Sequence, residues 1–150
     1  MSLGETAVRE LFNNVVDNLD AHLGFDFGER PDMNKFNTEK ILDIVWMLPM
    51  TYSGEFPQNM KLMKTYAVVL YFCRQDQEDS SNDQRRDIIE AMDKNVEQFL
   101  IKLKFTLDGL AHDHELNAIS VEPFFIQTDD ILTGKAVSFN LVIQDDFEYC

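Results

Sequence analysis

Cysteine, glycine and basic side chains are all scarce in this chain of 150 residues, and each shortage excludes a class of protein. Two cysteines, Cys73 and Cys150, cannot build the disulfide framework of a small secreted domain. We therefore expect Cys73 to be a buried thiol and the chain to be made in a reducing cytoplasm. Lys and Arg number 13 against 27 Asp and Glu, a formal net charge of −14. This excess of carboxylates argues against a broad nucleic-acid-binding face and against docking on an anionic membrane.

Long hydrophobic runs are also missing. The longest, Tyr66 to Cys73, falls far short of the roughly 18 apolar residues that a membrane span needs, and it predicts a buried strand instead. The first residues mix charged and apolar side chains, so no signal peptide is expected. Within residues 1–4, Ser2 and Leu3 after Met1 are typical of a cloning remnant.

Catalytic signatures do not occur in the sequence. The six glycines are scattered, which excludes a glycine-rich phosphate loop, and neither G-x-S-x-G nor C-x-x-C is present. The run from His112 to Glu115 holds metal-ligand residue types, but a solvated loop is the favoured interpretation. The pairs Asp129-Asp130 and Asp145-Asp146 fall in a turn and near the chain end, where water is expected to solvate them. We predict a chain that is not an enzyme and that uses no cofactor and no metal.

Two segments carry the apolar periodicity of helices. Residues 5–23 place their apolar side chains at the spacing of one helical face, which packs either on the core or on a partner subunit. A longer helix is predicted over about residues 83–103, with its pattern fading until Gly109 ends it. Ser81 followed three residues later by Gln84 matches a capping box at its start.

Strands are predicted before the long helix. Phe25 and Phe27 suggest a short strand. Helix and strand compete over residues 41–56, and the β-branched and aromatic side chains favour a strand with Pro49 at an edge or bulge. The segment from Gly54 to Asn59 is expected to turn. Residues 62–74 are predicted to form a strand, and the run from Tyr66 to Cys73 within it is apolar on both faces, as in a covered central strand.

A hairpin is predicted to close the fold. Its first strand covers residues 117–128 and is interrupted at Pro123, and its last strand covers residues 135–144. The connection is expected to include Thr133 and Gly134. In the last strand, alternate residues face a core and the others face water or a partner. The core-facing residues are Val137, Phe139, Leu141 and Ile143, and the opposite ones include Ser138 and Asn140.

Together these elements predict a single α+β domain over residues 1–150. An N-terminal helix precedes a four-stranded sheet, mainly antiparallel or mixed, and one long helix packs across that sheet. Residues 145–150 are expected to be flexible.

Five side chains are candidates for a subunit interface. Phe25, Phe27 and Phe56 lie outside the long elements, and aromatic side chains are favoured at interface centres. Arg85 and Arg86 are the only basic doublet and would either contact an acidic neighbour or lie on a plain surface.

Three stretches carry a family resemblance over roughly residues 5–144: Lys61–Thr65 entering Tyr66–Cys73, the long helix after an acidic loop, and Leu132–Phe139. This pattern resembles the tail-terminator and tail-completion proteins of long-tailed bacteriophages, and the head–tail neck proteins of the same fold class. In that family a Thr-Gly turn often leads into a final strand of this kind. The long stretch 24–40 departs from the family pattern.

The resemblance implies a non-enzymatic, ring-forming subunit of a phage or prophage virion that caps or joins tail segments. It implies copies of the chain and other virion proteins as partners. The implied location is the bacterial cytoplasm during assembly and the virion afterwards. A negatively charged channel would let DNA slide without phosphate contacts, and a head-to-tail interface would close by rotation.

A small binding module that encloses an apolar ligand or a protein partner is the competing interpretation. A helix over a curved sheet rich in Phe and Met can surround an apolar cavity, although core filling is the commoner use of such residues. The candidate lining residues are Met33, Met47, Met50, Met60, Met63 and Met92.

Overall fold

The structure, a computed structural model, describes residues 4–21, 23–28, 43–56, 62–76, 81–110, 114–127 and 131–144. These ranges form an α+β fold with an N-terminal helix, a long helix and a mixed sheet of six strands. The helices are α1 (Glu5–Asp17) and α2 (Asn82–Asp108). The strands are β1 (Gly24–Phe27), β2 (Asp43–Met47), β3 (Thr51–Glu55), β4 (Met63–Asp76), β5 (His114–Gln127) and β6 (Ile131–Gln144).

The sheet has more strands than the four predicted, and two features account for the difference. The short strand at Phe25 and Phe27 is β1, which joins the sheet as the parallel neighbour of β2. The apolar segment over residues 41–56 divides into β2 and β3, which pair with successive parts of β4. The preference for strand over helix in that segment was therefore correct, but the count of four was wrong.

Pro49 lies where β2 and β3 separate. Met47 is opposite Leu70 and Thr51 is opposite Ala67, so this side of the ladder holds one residue more than β4 does. An additional residue of this kind is a bulge, and a proline without a backbone N–H is tolerated there. The position predicted for Pro49 is confirmed.

Strand β4 lies at the centre of the sheet. The strand order is β1-β2-β4-β6-β5, and β3 lies beside the first half of β4. The β1–β2 pair is parallel, and the other described pairs are antiparallel. The run from Tyr66 to Cys73 is covered on one face by the main core, and on the other face only Tyr71 and Cys73 join a second, smaller apolar cluster, so the prediction of a strand covered on both faces holds only in part.

Both helices pack on one face of this sheet. Phe12 of α1 contacts Phe99 of α2 edge-on at 5.8 Å between ring centroids, and it contacts Phe139 of β6 at 6.0 Å. Burial of each such side chain contributes about 1.5–3 kcal/mol. The four residues of the last strand that were predicted to face the core are all buried: Val137, Phe139, Leu141 and Ile143.

The helix ends differ from the sequence prediction by a few residues. Helix α1 ends at Asp17 instead of continuing to Leu23, because Asn18 caps it through a side-chain amide that donates to the Asn14 carbonyl at 2.8 Å. Leu23 still packs in the core from the segment after the helix. Helix α2 begins with the predicted capping box and continues to Asp108, with Gly109 as its C-cap.

The closing hairpin has longer strands than predicted. Thr133 and Gly134 lie inside β6 rather than in the connection, since β6 already begins at Ile131. Pro123 does not interrupt β5, because β5 is an edge strand and needs no second ladder of hydrogen bonds. The irregularity lies instead between Asn117 and Ser120, where the register shifts.

The strands also test the predicted turn at Gly54 and the predicted burial of Cys73. Gly54 belongs to β3 rather than to a turn, and the rest of that predicted turn beyond Phe56 lies outside the described residues. Cys73 is fully buried as predicted, and burial raises the pKa of its thiol to about 12. Among the described residues, no helix is long and apolar enough to cross a membrane.

Candidate interaction surfaces

The register of the strands assigns their side chains to two faces of the sheet. One face packs against α1 and α2 and forms the main core. On the opposite face, which we call the open face, no helix packs within the described ranges. Alternation along β4 places Tyr66, Val68 and Leu70 under the helices and Thr65, Ala67 and Val69 on the open face.

Charge is distributed unevenly between the two faces. The described strands place six ionisable side chains on the open face. Two of them are the buried Cys73 and the tyrosine Tyr71. The other four are carboxylates: Asp26, Glu55, Glu115 and Glu122. The nine Lys and Arg of the described ranges lie either on the helices or on the helix-covered face of a strand. Lys135, for example, faces α2 and reaches Asp93 there at 3.7 Å.

Small and polar residues make up much of the remaining open face. They include Thr51, Ser53, Thr65, Ser138 and Asn140, all exposed or half-buried. Alternating core-facing and polar residues are typical of a sheet with one solvated side.

One end of the open face carries a small apolar cluster. Ile44, Trp46, Cys73 and Leu132 are buried there, and Tyr71 packs edge-on against Phe124 at 4.8 Å. The Trp46 indole Nε1 donates a hydrogen bond to the Gly28 carbonyl at 2.9 Å, so its polar atom is satisfied.

The structure separates the three phenylalanines predicted at a subunit interface. Phe25 is half-buried and packs against the main core. Phe27 is 49% exposed, and the Arg9 guanidinium lies over its ring at 3.6 Å. Phe56 directly follows β3 and is 72% exposed. Phe56 therefore has the most free surface to offer a partner.

The basic doublet makes contacts inside the chain. The Arg85 guanidinium lies 4.7 Å from the ring centroid of Phe125 on β5. Arg86 approaches the Asp83 carboxylate at 3.8 Å, a long and exposed ion pair. Such exposed pairs contribute little, so Arg86 remains accessible to a neighbouring molecule.

An apolar groove on α2 was missed by the sequence prediction. Ile101 and Phe105 are 71% and 75% exposed, and with Leu19 they line a cleft of about 430 Å³ between the residues that follow α1 and the C-terminal half of α2. Lys102 and Asp20 lie at the same cleft. The four-residue spacing of Ile101 and Phe105, off the buried stripe of the helix, was the available signal.

A second cleft is polar. It measures about 490 Å³, and Arg74 and Lys94 line it together with several carboxylates. Arg74 is paired with Asp43, which leaves Asp20, Asp87 and Glu90 as the other acidic lining residues. The lining residues named here include no pair of a nucleophile and a general base.

The metal-ligand residue types do not assemble in the described ranges. His114 begins β5, and its Nε2 lies 2.9 Å from Asp108 Oδ1, while Lys104 contacts the same oxygen at 2.5 Å. These two hydrogen bonds, that of Lys104 first, hold the pKa of the Asp108 carboxyl below its ordinary value. No group of three ligand-type residues occurs among the described residues. Two residues of the candidate run from His112 to Glu115 lie outside those ranges, namely His112 and Asp113. The predicted acidic pairs Asp129-Asp130 and Asp145-Asp146 and the tail 145–150 also lie outside them.

Three of the four candidate lining methionines that the structure describes fill the core. Met47, Met50 and Met92 are buried within the main core cluster, whereas Met63 is half-buried at the start of β4. Met33 and Met60 lie outside the described ranges.

Comparison with protein families and with curated proteins identifies no relative of this chain. No protein-family model matches the chain, and no curated protein matches it significantly.

Proposed function

We propose that the chain is a structural subunit of a phage or prophage virion that assembles as a ring at the end of the tail or at the neck. The observation that carries the proposal is the charge of the open face, whose charged residues in the described strands are all carboxylates. In the proposed ring the open face lines the channel, apart from Glu55 at the end of the edge strand β3, and the helices lie outside.

Electrostatics favours this orientation. Duplex DNA carries a dense row of phosphates, and Lys or Arg in the channel wall would hold it by releasing counterions. A wall of carboxylates, with small polar side chains such as Ser138 between them, makes no such contacts and leaves the polymer free to move. The basic residues of the described ranges lie on the opposite, helix-covered side.

The fold pattern supports the same proposal. Paired strands, a long capped helix and a closing hairpin occur here in the order that suggested tail-completion and neck proteins. The Thr-Gly pair weighs less in this comparison than the sequence implied, because Thr133 and Gly134 lie within a strand instead of a turn.

Electron microscopy of site-specifically labelled protein tests the orientation. A Cys150→Ser background removes the cysteine outside the described ranges, and the buried Cys73 remains inert. Ser138→Cys then places a gold-labelled thiol on the open face, and the matched variant Glu97→Cys places one on the outer surface of α2.

The proposal expects rings in negative stain, with gold from Ser138→Cys inside the channel and gold from Glu97→Cys at the periphery. Rings with the two positions reversed would contradict the channel assignment. A protein that forms no ring, either alone or together with phage capsid and tail proteins, would contradict the structural role.

A further inference from the structure

The α2 groove and Phe56 are the two most prominent apolar features that the described chain leaves exposed. Phe105 and Phe56 are 75% and 72% exposed, which makes them the most exposed phenylalanines of the described ranges. Phe56 is not among the residues that line the groove. Each chain therefore carries an apolar recess at one place and an exposed aromatic side chain at another.

We propose that the groove formed by Leu19, Ile101 and Phe105 receives Phe56 of a second copy of this chain. The inference deepens the proposed function and rests on it, since a ring needs two different surfaces on each subunit. The contact is heterologous, so every copy uses its groove toward one neighbour and its Phe56 toward the other.

The chemistry of the two surfaces is complementary. Aromatic rings pack favourably edge-on or offset against one another, and Ile101 adds an aliphatic wall beside Phe105. Lys102 lies at the groove, and Glu55 immediately precedes Phe56. Both are exposed, and neither forms an ion pair with another described residue. Docking of Phe56 brings these opposite charges to the same rim.

A two-fold contact of groove on groove satisfies fewer of these features. It would bring Lys102 close to its own symmetry copy, and it would leave the ring of Phe56 in water. The head-to-tail contact covers the exposed rings of Phe56 and Phe105, and it pairs two charges that have no ion-pair partner among the described residues.

Mixing of two single variants tests the proposal. Phe105→Asp damages the groove and keeps Phe56, whereas Phe56→Asp damages the aromatic side chain and keeps the groove. Ile119→Asp, at an apolar side chain on β5 that is 49% exposed, is the matched control. Mass is measured by light scattering after size exclusion, over a range of protein concentrations, and circular dichroism establishes that each variant is folded.

The expected result is a discrete oligomer for the wild type and the control, and a monomer for each of the other two variants. Each of these two substitutions is expected to raise the dissociation constant by about tenfold or more, as for a buried anchor residue. An equimolar mixture of the two variants is expected to give a dimer and nothing larger, because the mixed dimer has no intact pair of surfaces left.

Charge exchange provides a second readout. Lys102→Glu is expected to weaken association, and the double variant Lys102→Glu with Glu55→Lys is expected to restore it. If the double variant does not associate, Lys102 and Glu55 do not form an ion pair at the interface, and that part of the proposal is overturned.

Three results would overturn the inference. The first is a Phe105→Asp variant with the wild-type mass, and the second is a mixture that stays monomeric although each variant alone is monomeric. The third is a wild type that is monomeric at every concentration. Rings that persist in Phe105→Asp would reject this interface while the proposed function stands. Mixed dimers without any rings in the wild type would support the interface and reject the ring.

Discussion

Arg74 on β4 donates two hydrogen bonds to Asp43, its cross-strand partner on β2. Its Nε lies 2.6 Å from Asp43 Oδ1, and its Nη2 lies 3.0 Å from Oδ2. The bond to this carboxylate raises the pKa of Arg74 above its ordinary value, because it favours the charged guanidinium. A one-residue slip of β2 would separate the two groups, so the pair holds the register of β2 on β4.

Asp43→Asn is expected to lower the free energy of unfolding by about 1 kcal/mol, since the pair is two-pronged but partly exposed to water. The loss should shrink at high salt, where charges are screened. Urea denaturation at low and high salt measures it. Arg86→Gln, which removes the long exposed pair with Asp83, is the control and should change stability by less than about 0.5 kcal/mol. Equal losses for the two variants would contradict the prediction.

Gly134→Ala is expected to destabilise the protein by about 3 kcal/mol or more, as overpacking against a fixed backbone does. A Cβ at this position would lie 2.8 Å from the Cα of Cys73 and would also collide with the Phe72 carbonyl oxygen. Neither atom can move without breaking the β4–β6 ladder. Thermal unfolding measures the change. Gly109→Ala meets its nearest atom at 3.4 Å with ordinary helical dihedrals, so a comparable loss there would refute the steric explanation.

Ser81→Ala is expected to cost about 1 kcal/mol, the usual value of an N-cap. The Ser81 hydroxyl accepts from the Gln84 amide at 3.2 Å, and the Gln84 side chain accepts from the Ser81 amide at 2.8 Å. Ser81→Asp keeps an acceptor at the helix start and should retain most of the stability. Chemical denaturation of the two variants decides the matter, because a general intolerance of substitution at residue 81 would destabilise both equally.

Cys73 is expected to resist alkylation in the folded protein, because a thiol whose pKa is raised from 9.0 to about 12 supplies almost no thiolate near neutral pH. The measurement uses a Cys150→Ser background and compares native protein with denatured protein. Equal labelling rates in the two states would contradict the burial of Cys73.

The same thiol makes stability depend on alkaline pH. The folded-state pKa is higher than the unfolded one, so the contribution of Cys73 to stability is constant below about pH 9 and is lost as the pH rises from about 9 to about 12. The slope is at most about 1.4 kcal/mol per pH unit. Cys73→Ala removes this component, so its unfolding free energy should decline less steeply than that of the wild type over the same window.

Local patterns were sufficient to predict most of the elements. The alternation of Val137, Phe139, Leu141 and Ile143 predicts a half-covered strand, and the Ser81–Gln84 spacing predicts the start of α2. Both depend on residues close together in the sequence, and both are confirmed. The strand preference over residues 41–56 was correct for the same reason.

Features that depend on a distant partner were predicted less well. Thr133 and Gly134 look like a turn in isolation, but Gly134 pairs with Cys73 inside the sheet, where the backbone of β4 approaches too closely for any side chain. β1 was recognised as a short strand but not as part of the sheet, because its parallel pairing with β2 is invisible before the chain folds. Whether the side chains of Ile101 and Phe105 are exposed depends on where α1 ends.

The sequence by itself determined the acidic charge, the α+β class, the two helices and the apolar stripes that build the core. Tertiary structure alone decided which carboxylates share a face, because strands far apart in the chain bring Asp26, Glu55, Glu115 and Glu122 to one side of the sheet. Composition counts charges without assigning them to a surface. The pairing register assigns them, since successive residues of a strand point to opposite faces.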